Sequence, residues 1–281
     1  PTSFQSTIVN ASQQGFTGGN PNLINENSQS ESIGVVVTPS FVEDLTFSVD
    51  FIDVYLNDAI ESLGLTTIMA GCYDGGNLNA PACGQFTRDP ATFQINGFQT
   101  GFVNAGYRIL KGYQSELDWS FDLTHLNFSG AIPGGSASPS VTIPGQFRLR
   151  ANFFDLNDSR VSVTGDDAGD TKGLIGNSSL RGNVNLMYML DNWTFNWRTM
   201  YLSGAKKSNT APPRTYDIPK IDEYFMHTLF ARYSMSDQLD ISVAVRNVTD
   251  VDVPSGMNSL VALGASDIIG RSVTGSIQYR F

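Results

Sequence analysis

Cysteine and histidine are almost missing from this sequence. Its 281 residues include two cysteines, Cys72 and Cys83, and two histidines, His125 and His227, too few for a structural zinc site of the usual kind. Basic charge is short as well: 17 Lys and Arg stand against 27 Asp and Glu, a formal net charge of −10. A surface of that sign repels a phosphate backbone, so nucleic acid is not an expected partner. Long apolar runs are lacking; the best, Leu63 to Ala70, is about half of what a membrane helix needs. That excludes a helical span and leaves a β-barrel span open, because alternate residues of barrel strands are polar. No Gly-x-Ser-x-Gly, His-Glu-x-x-His or phosphate-cradling glycine motif occurs. The expectation is a protein that is not an enzyme, with no cofactor and no resident metal. The chain opens on Pro1 without an initiator Met, a charged n-region or an apolar h-region, and is read as a mature chain or a fragment.

What the sequence does have is apolar content, 41% hydrophobic and 11% aromatic, enough for a folded chain. That content alternates. In Arg271–Phe281 the odd positions Val273, Gly275, Ile277, Tyr279 and Phe281 are apolar or small, and Ser272, Thr274, Ser276, Gln278 and Arg280 between them are polar. Period 2 over about ten residues is a tilted membrane strand rather than a soluble one. The same pattern marks 239–245, 225–235, 193–202, 180–190, 147–153, 113–123, 45–51 and 33–37. This predicts an all-β chain of about nine strands in an antiparallel up-and-down meander. Turns at 39–44, 191–192 and 236–238 are short; connections near 57–97, 155–179, 203–224 and 251–270 are long and rich in Gly, Asn, Asp, Ser and Pro. Short turns on one rim and long loops on the other are the plan of an outer-membrane barrel. The long stretch 124–145 breaks that alternation.

A soluble sandwich also produces period-2 strands, by packing apolar faces between two sheets. Three features favour the membrane. Strands near ten residues exceed the soluble norm. Aromatic residues gather at strand ends, at Trp193, Tyr201, Phe225, Tyr233, Tyr279 and Phe281, as interfacial girdles do. The polar faces carry charge in mid-strand, at Arg148, Arg150, Arg181, Arg198, Arg232, Arg246, Asp118 and Asp240. Facing lipid, such a charge costs roughly 2–4 kcal/mol near the midplane, so these faces belong to a wet or plugged interior.

The ordered series of motifs resembles the late barrel of TonB-dependent outer-membrane receptors. It comprises Gly19-Asn20-Pro21-Asn22-Leu23 with Glu26, the strand ending Val35-Val36-Val37-Thr38-Pro39, and Leu45–Phe51 continuing to Asn57-Asp58-Ala59-Ile60. Gly71-Cys72-Tyr73-Asp74, Ala82-Cys83 and Thr87-Arg88-Asp89 are similar to a cysteine-bearing surface loop of these receptors. Phe102-Val103-Asn104-Ala105, Gly112 and the closing Ser276–Phe281 complete a match over most of the chain. Asn25, where the family usually has Pro, and the 124–145 insertion depart from the pattern.

The resemblance implies the C-terminal portion, residues 1–281, of a plugged barrel of about 22 strands in the outer membrane of a Gram-negative bacterium. It implies partners: an upstream plug domain, the TonB complex reached through the plug, outer-membrane lipid, and a nutrient such as a ferric siderophore or other metal chelate, cobalamin or an oligosaccharide. Tyr279 and Phe281 become the barrel-assembly signal, and the inward Arg and Asp residues named above become plug-facing. On an oxidising cell surface Cys72 and Cys83 are expected to form a disulfide. Tyr73, Asn77, Arg88, Arg214 and Tyr216 are candidate nutrient contacts. His227 reads as an interfacial residue, and Asp166-Asp167…Asp170 as a solvated acidic loop rather than a weak calcium site. A plug-less porin or adhesin-like barrel is the alternative, a secreted sandwich the more remote one.

Overall fold

The computed structural model describes residues 15–73, 81–123, 143–162, 169–212, 214–252 and 269–281. Its strands are β1 (Gly15–Gly18), β2 (Asn27–Val37), β3 (Leu45–Leu63), β4 (Phe86–Arg88), β5 (Ile95–Leu123), β6 (Ile143–Ser162) and β7 (Gly169–Asp170), followed by β8 (Leu180–Leu190), β9 (Trp193–Leu202), β10 (Ala205–Lys206), β11 (Lys220–Ile221), β12 (Tyr224–Ser234), β13 (Leu239–Arg246) and β14 (Ser272–Tyr279). One helix, α1 (Leu65–Tyr73), and one 3₁₀ turn, Pro81–Gln85, lie between β3 and β4. The long strands follow one another as β14-β13-β12-β9-β8-β6-β5-β3-β2, an antiparallel meander with β2 and β14 at its edges. That order contains the nine alternating segments of the sequence, and no others among the described residues.

The turns follow from local chemistry. Leu190 pairs with Trp193, so Asp191-Asn192 alone reverses the chain, with Asp191 at φ 49°, a left-handed conformation that Asp tolerates. At the β12–β13 turn the Ser236 hydroxyl accepts the Gln238 and Leu239 amides at 3.3 and 3.2 Å.

The long loops are shorter than the sequence suggests. Connection 57–97 is a strand to Leu63, then α1, the 3₁₀ turn and β4, with β5 already under way at Ile95. Connection 155–179 begins as strand, β6 running to Ser162, and 203–224 holds the small hairpin β10–β11. The physical reason is that period 2 is imposed only where the two faces of a strand meet different surroundings, and the parts of β3, β5 and β6 beyond the alternating segments lack that constraint. β5, at 29 residues, is about 95 Å long, against a hydrocarbon core of about 30 Å. Its glycines read as loop yet serve close approach: a Cβ on Gly106 would sit 2.5 Å from the Ser162 carbonyl oxygen. Most of 124–145 and of 251–270 lies outside the described residues.

The chain folds as two compact units. The first comprises 1–31, 53–110 and 158–170, and it has a true core. Ile68 and Cys72 lie one turn apart on α1 and pack with Leu63 and Ala82, all at most 6% exposed, with Cys83, Phe86 and Val103 around them. The turn-forming residues around it suggest a loop here; the apolar run Leu63–Ala70 is the signal for the helix that forms instead. The second unit comprises 32–52, 111–157 and 171–281; it is the sheet wall itself.

Candidate functional site

Register decides which side chains share a face of the wall. Phe147 pairs with Tyr188, Tyr188 with Phe195, Phe195 with Ala231 and Ala231 with Val243. Leu149, Leu186, Trp197, Leu229 and Val245 make the next row. All of these sit on one side. Arg150, Asn185, Arg198 and Thr228 form a row on the other. Slipping any strand by one residue would mix the two faces, so the alternation and the register agree.

The apolar face stands open. Trp197 is 49% exposed, Val273 68% and Ile277 74%, values a sandwich would not leave on its inner faces. Aromatic rings cross it in two belts. Near the short turns, Trp119, Phe121, Phe147, Tyr188, Phe195, Trp193 and Tyr233 follow one another with centroids 4.2–6.2 Å apart. Toward the other rim, Tyr201 and Phe225 lie 4.8 Å apart and Trp197 and His227 5.9 Å apart. From Trp193 to Tyr201 along β9 is about 26 Å, close to the height of a barrel's apolar band. His227 belongs to the second belt, its Nδ1 2.9 Å from the Thr199 hydroxyl.

The polar face gathers the mid-strand charges. Arg148 grips Asp118 with two bonds of 2.9 and 2.7 Å, and Arg150 reaches the same carboxylate at 3.1 Å. Asp240, its side chain 7% exposed, accepts from Arg232 and, at 2.8 Å, from Arg280. Arg181 lies over the Phe154 ring at 5.0 Å, and Arg198 donates to the Asn183 amide oxygen at 3.4 Å. A depression of about 330 Å³ on this face is lined by Gln114, Glu116, Asn152, Phe154, Arg181 and Met200, among others.

The first unit gathers other candidates. Cys72 and Cys83 are bonded, with Cα atoms 4.8 Å apart. The Arg88 Nε donates to the Tyr73 hydroxyl at 3.1 Å, and its guanidinium lies 5.6 Å from the Tyr73 ring and 5.4 Å from that of Phe86. Its Nη1 donates to the Phe93 carbonyl at 2.6 Å. Two sequence candidates, Tyr73 and Arg88, are therefore neighbours. Beside them Asp89 accepts the Ala91 and Thr92 amides at 2.8 and 2.9 Å, and these bonds, Thr92's foremost, hold its carboxyl below the ordinary range. They fold a tip whose Phe93 is 64% exposed at φ 58°. An exposed aromatic in a left-handed conformation marks a further candidate contact. Sequence reasoning misses it, since no local motif announces it.

In the second unit Arg214 and Tyr216 are exposed, and Lys207 lies 5.7 Å from the Tyr216 ring. Asn77 lies outside the described residues. Among the described residues no group of three or more His, Cys, Asp or Glu side chains converges as metal ligands.

Several motif residues prove to be backbone staples. Asn20 donates to the Phe102 carbonyl and accepts the Asn22 amide; Asn104 bonds the Ile24 amide and carbonyl and the Asp58 carbonyl; Glu26 accepts the Ile60 amide. Buried Asn247 bonds both backbone groups of Val251 at 2.9 Å, and Asp250 accepts the Arg271 amide at 2.8 Å.

A wall with one open apolar face, aromatic belts at both rims and a charged opposite face is a section of a transmembrane β-barrel. A family model described as TonB dependent receptor-like, beta-barrel matches residues 2–248, and the chain belongs to that family. It is a family of transporters rather than enzymes, found in the Gram-negative outer membrane. No curated protein matches the sequence. Among solved structures, the FrpB iron transporter from Neisseria meningitidis is similar at 13% identity and a TM-score of 0.57, over 95% of this chain and 32% of that one. A mutant ferric enterobactin receptor from Pseudomonas aeruginosa, solved with enterobactin, gives 13%, 0.57, 94% and 33% in the same terms. The siderophore receptor PirA from Acinetobacter baumannii gives 15%, 0.57, 94% and 33%. The chain thus spans about a third of the length of these transporters.

Proposed function

We propose that the chain is the C-terminal part of the barrel of an outer-membrane TonB-dependent importer of a scarce nutrient: a ferric siderophore, cobalamin or an oligosaccharide. Its apolar face meets lipid and its polar face lines the lumen. Arg148, Arg150, Arg181, Arg198, Arg232, Arg246, Asp118 and Asp240 face a plug domain encoded upstream, which couples to the TonB complex. Tyr279 and Phe281 act as the assembly signal; Phe281 is fully exposed beyond the end of the edge strand, open to a receptor. Tyr73 and Arg88, joined by Phe93, and Asn77, Arg214 and Tyr216 are outer contacts for the nutrient. The carrying observation is the register-aligned separation of faces in a chain of this family.

The test is uptake through the full receptor in otherwise identical cells with and without TonB, using radio-iron chelates, cobalamin and labelled oligosaccharides as probes. Import that stops without TonB supports the proposal. Uptake indifferent to TonB points to a diffusion porin.

A further inference from the structure

The chain has five lysines, Lys111, Lys172, Lys206, Lys207 and Lys220, and the last four lie on three adjoining segments of the second unit. The hairpin β10–β11 continues β9 and β12 upward. Ala205 pairs with Ile221, and Lys206 with Lys220, in the same register that pairs Leu202 with Tyr224. Lys207 follows, 5.7 Å from the Tyr216 ring. Lys172 precedes the stretch beside β10, where the Lys206 amide donates to the Gly173 carbonyl at 2.8 Å, and its own Nζ donates to the Asn157 carbonyl at 3.1 Å. Like charges directly opposite across a ladder destabilise it. Lys206 and Lys220 stand so, both exposed, and among the described residues neither forms an ion pair. Three acids share this connection, Asp217 in its tip and Asp222 and Glu223 at its foot, where Glu223 accepts from the Tyr201 hydroxyl at 3.2 Å. The opposed pair therefore lacks a counter-ion, the condition for taking one from outside.

What lies below the lysines on the same strands says which anion fits. First comes the belt of Tyr201, Phe225, His227 and Thr199, which mixes rings with hydrogen-bonding groups, the His227 Nδ1 2.9 Å from the Thr199 hydroxyl. Next, toward the short turns, the open face holds a hollow of about 340 Å³, almost wholly apolar, lined by Tyr188, Phe195, Trp197, Leu229, Ala231 and Val243, among others. Residue size makes it. The row Phe195, Ala231, Val243, Gly275 turns small after its phenylalanine, between rows that hold Trp197 with Leu229 above and Trp193 with Tyr233 below. Cations, then rings and hydroxyls, then an apolar hollow: the sequence is that of a lipid from headgroup to chain.

We propose that this strip of β9–β13 docks a membrane amphiphile with a phosphorylated headgroup. Its phosphates lie beside Lys206, Lys207 and Lys220, its polar linker against the Tyr201–His227 belt, and an acyl chain in the hollow. Basic residues just outside an apolar band attract anionic headgroups, and the attraction reaches about a Debye length, roughly 8 Å, so lysines on either side of a thin hairpin contribute. Lysine suits this partner, because an ammonium is a point charge on a flexible stem and follows a phosphate without a fixed fork geometry. A free anion would satisfy the lysines but would make no use of the hollow. The inference rests on the reading that the apolar face meets lipid and adds to it one particular lipid class at one particular place.

The test titrates the full receptor in detergent with diphosphoryl lipid A, with the same lipid stripped of its phosphates, and with inorganic phosphate, counting bound copies by native mass spectrometry. Lys206→Gln with Lys220→Gln is expected to weaken the first copy of the diphosphoryl form about fivefold or more and to leave the dephosphorylated form unchanged. Lys206→Arg with Lys220→Arg should keep the wild-type affinity, and Ala231→Phe, which fills the hollow, should weaken both forms. Heat-modifiable migration confirms that each variant is a folded barrel; the Gln variant should be at least as heat-stable, since its like charges no longer oppose. Equal affinity of the wild type and the Gln variant for the diphosphoryl form overturns the inference, as does equal affinity of the wild type and the Ala231→Phe variant. Displacement of the lipid by inorganic phosphate overturns it too and assigns the lysines to a soluble anion. None of these results touches import through TonB. A receptor that takes up neither form of the lipid overturns this inference together with the lipid-facing reading.

Discussion

The two compact units hold themselves together in opposite ways. The first buries a small core around α1, where Ile68 and Cys72 are almost wholly hidden and the bond to Cys83 closes the loop. The second has its apolar residues on the outside: Trp197, Val273 and Ile277 are half to three-quarters exposed, and its cohesion comes from the ladder, the aromatic belts and the ion pairs. One unit carries its apolar environment within itself. The other leaves its apolar residues on one open face. A residue's cost therefore depends on its unit and, in the wall, on its parity.

The sharpest way to break the comparison is to reverse parity. Leu229→Arg, on the apolar face, is expected to cost roughly 2–4 kcal/mol of barrel stability in vesicles, whereas Ser276→Arg, on the polar face, should cost under about 1 kcal/mol. Urea titration of the folded receptor in lipid reads both. Equal costs would erase the distinction between the faces. Next in size is the disulfide. Cys72→Ala with Cys83→Ala should cost the first unit about 3 kcal/mol in the chain-entropy view. Hydrogen exchange should speed up over residues 63–73 and 81–88 and stay unchanged in β8 and β9. A loss spread over both units would contradict their independence.

The smallest effect is a pH dependence. Because Asp89 is held below its ordinary carboxyl range by the Thr92 and Ala91 amides, its contribution is complete above its unfolded value. It is lost as pH falls through the lower folded value, a window below about pH 4. Asp89→Asn should flatten that dependence at the 89–93 tip, followed by exchange of the Ala91 and Thr92 amides, with the wall unaffected.

The same contrast explains what is legible in the sequence. Wall strands such as Leu180–Leu190 and Trp193–Leu202 are readable to the residue, because one apolar and one polar face impose period 2. Beyond the alternating segments that constraint lapses. The upper parts of β3 and β5 contain Asn57-Asp58, Gly97, Gly101 and Gly106, which look like turn residues until the staples of Asn104 and the close approach at Gly106 are seen. Tyr73 and Arg88 are nameable as residue types favoured in binding loops, but their contact joins the last residue of α1 to the end of β4, a pairing that alternation does not display. Phe93 draws its interest from backbone conformation alone, which sequence does not display.

The most direct test of the central claim is nitroxide scanning along β9 of the full receptor in membranes, from position 194 to 201, comparing collisions with oxygen and with a water-soluble nickel chelate. The expected result is a period of two, with oxygen contact peaking at 195, 197, 199 and 201 and weak at 194, 196, 198 and 200. Uniform accessibility, or oxygen peaking at the even positions, would contradict the assignment of the apolar face to lipid.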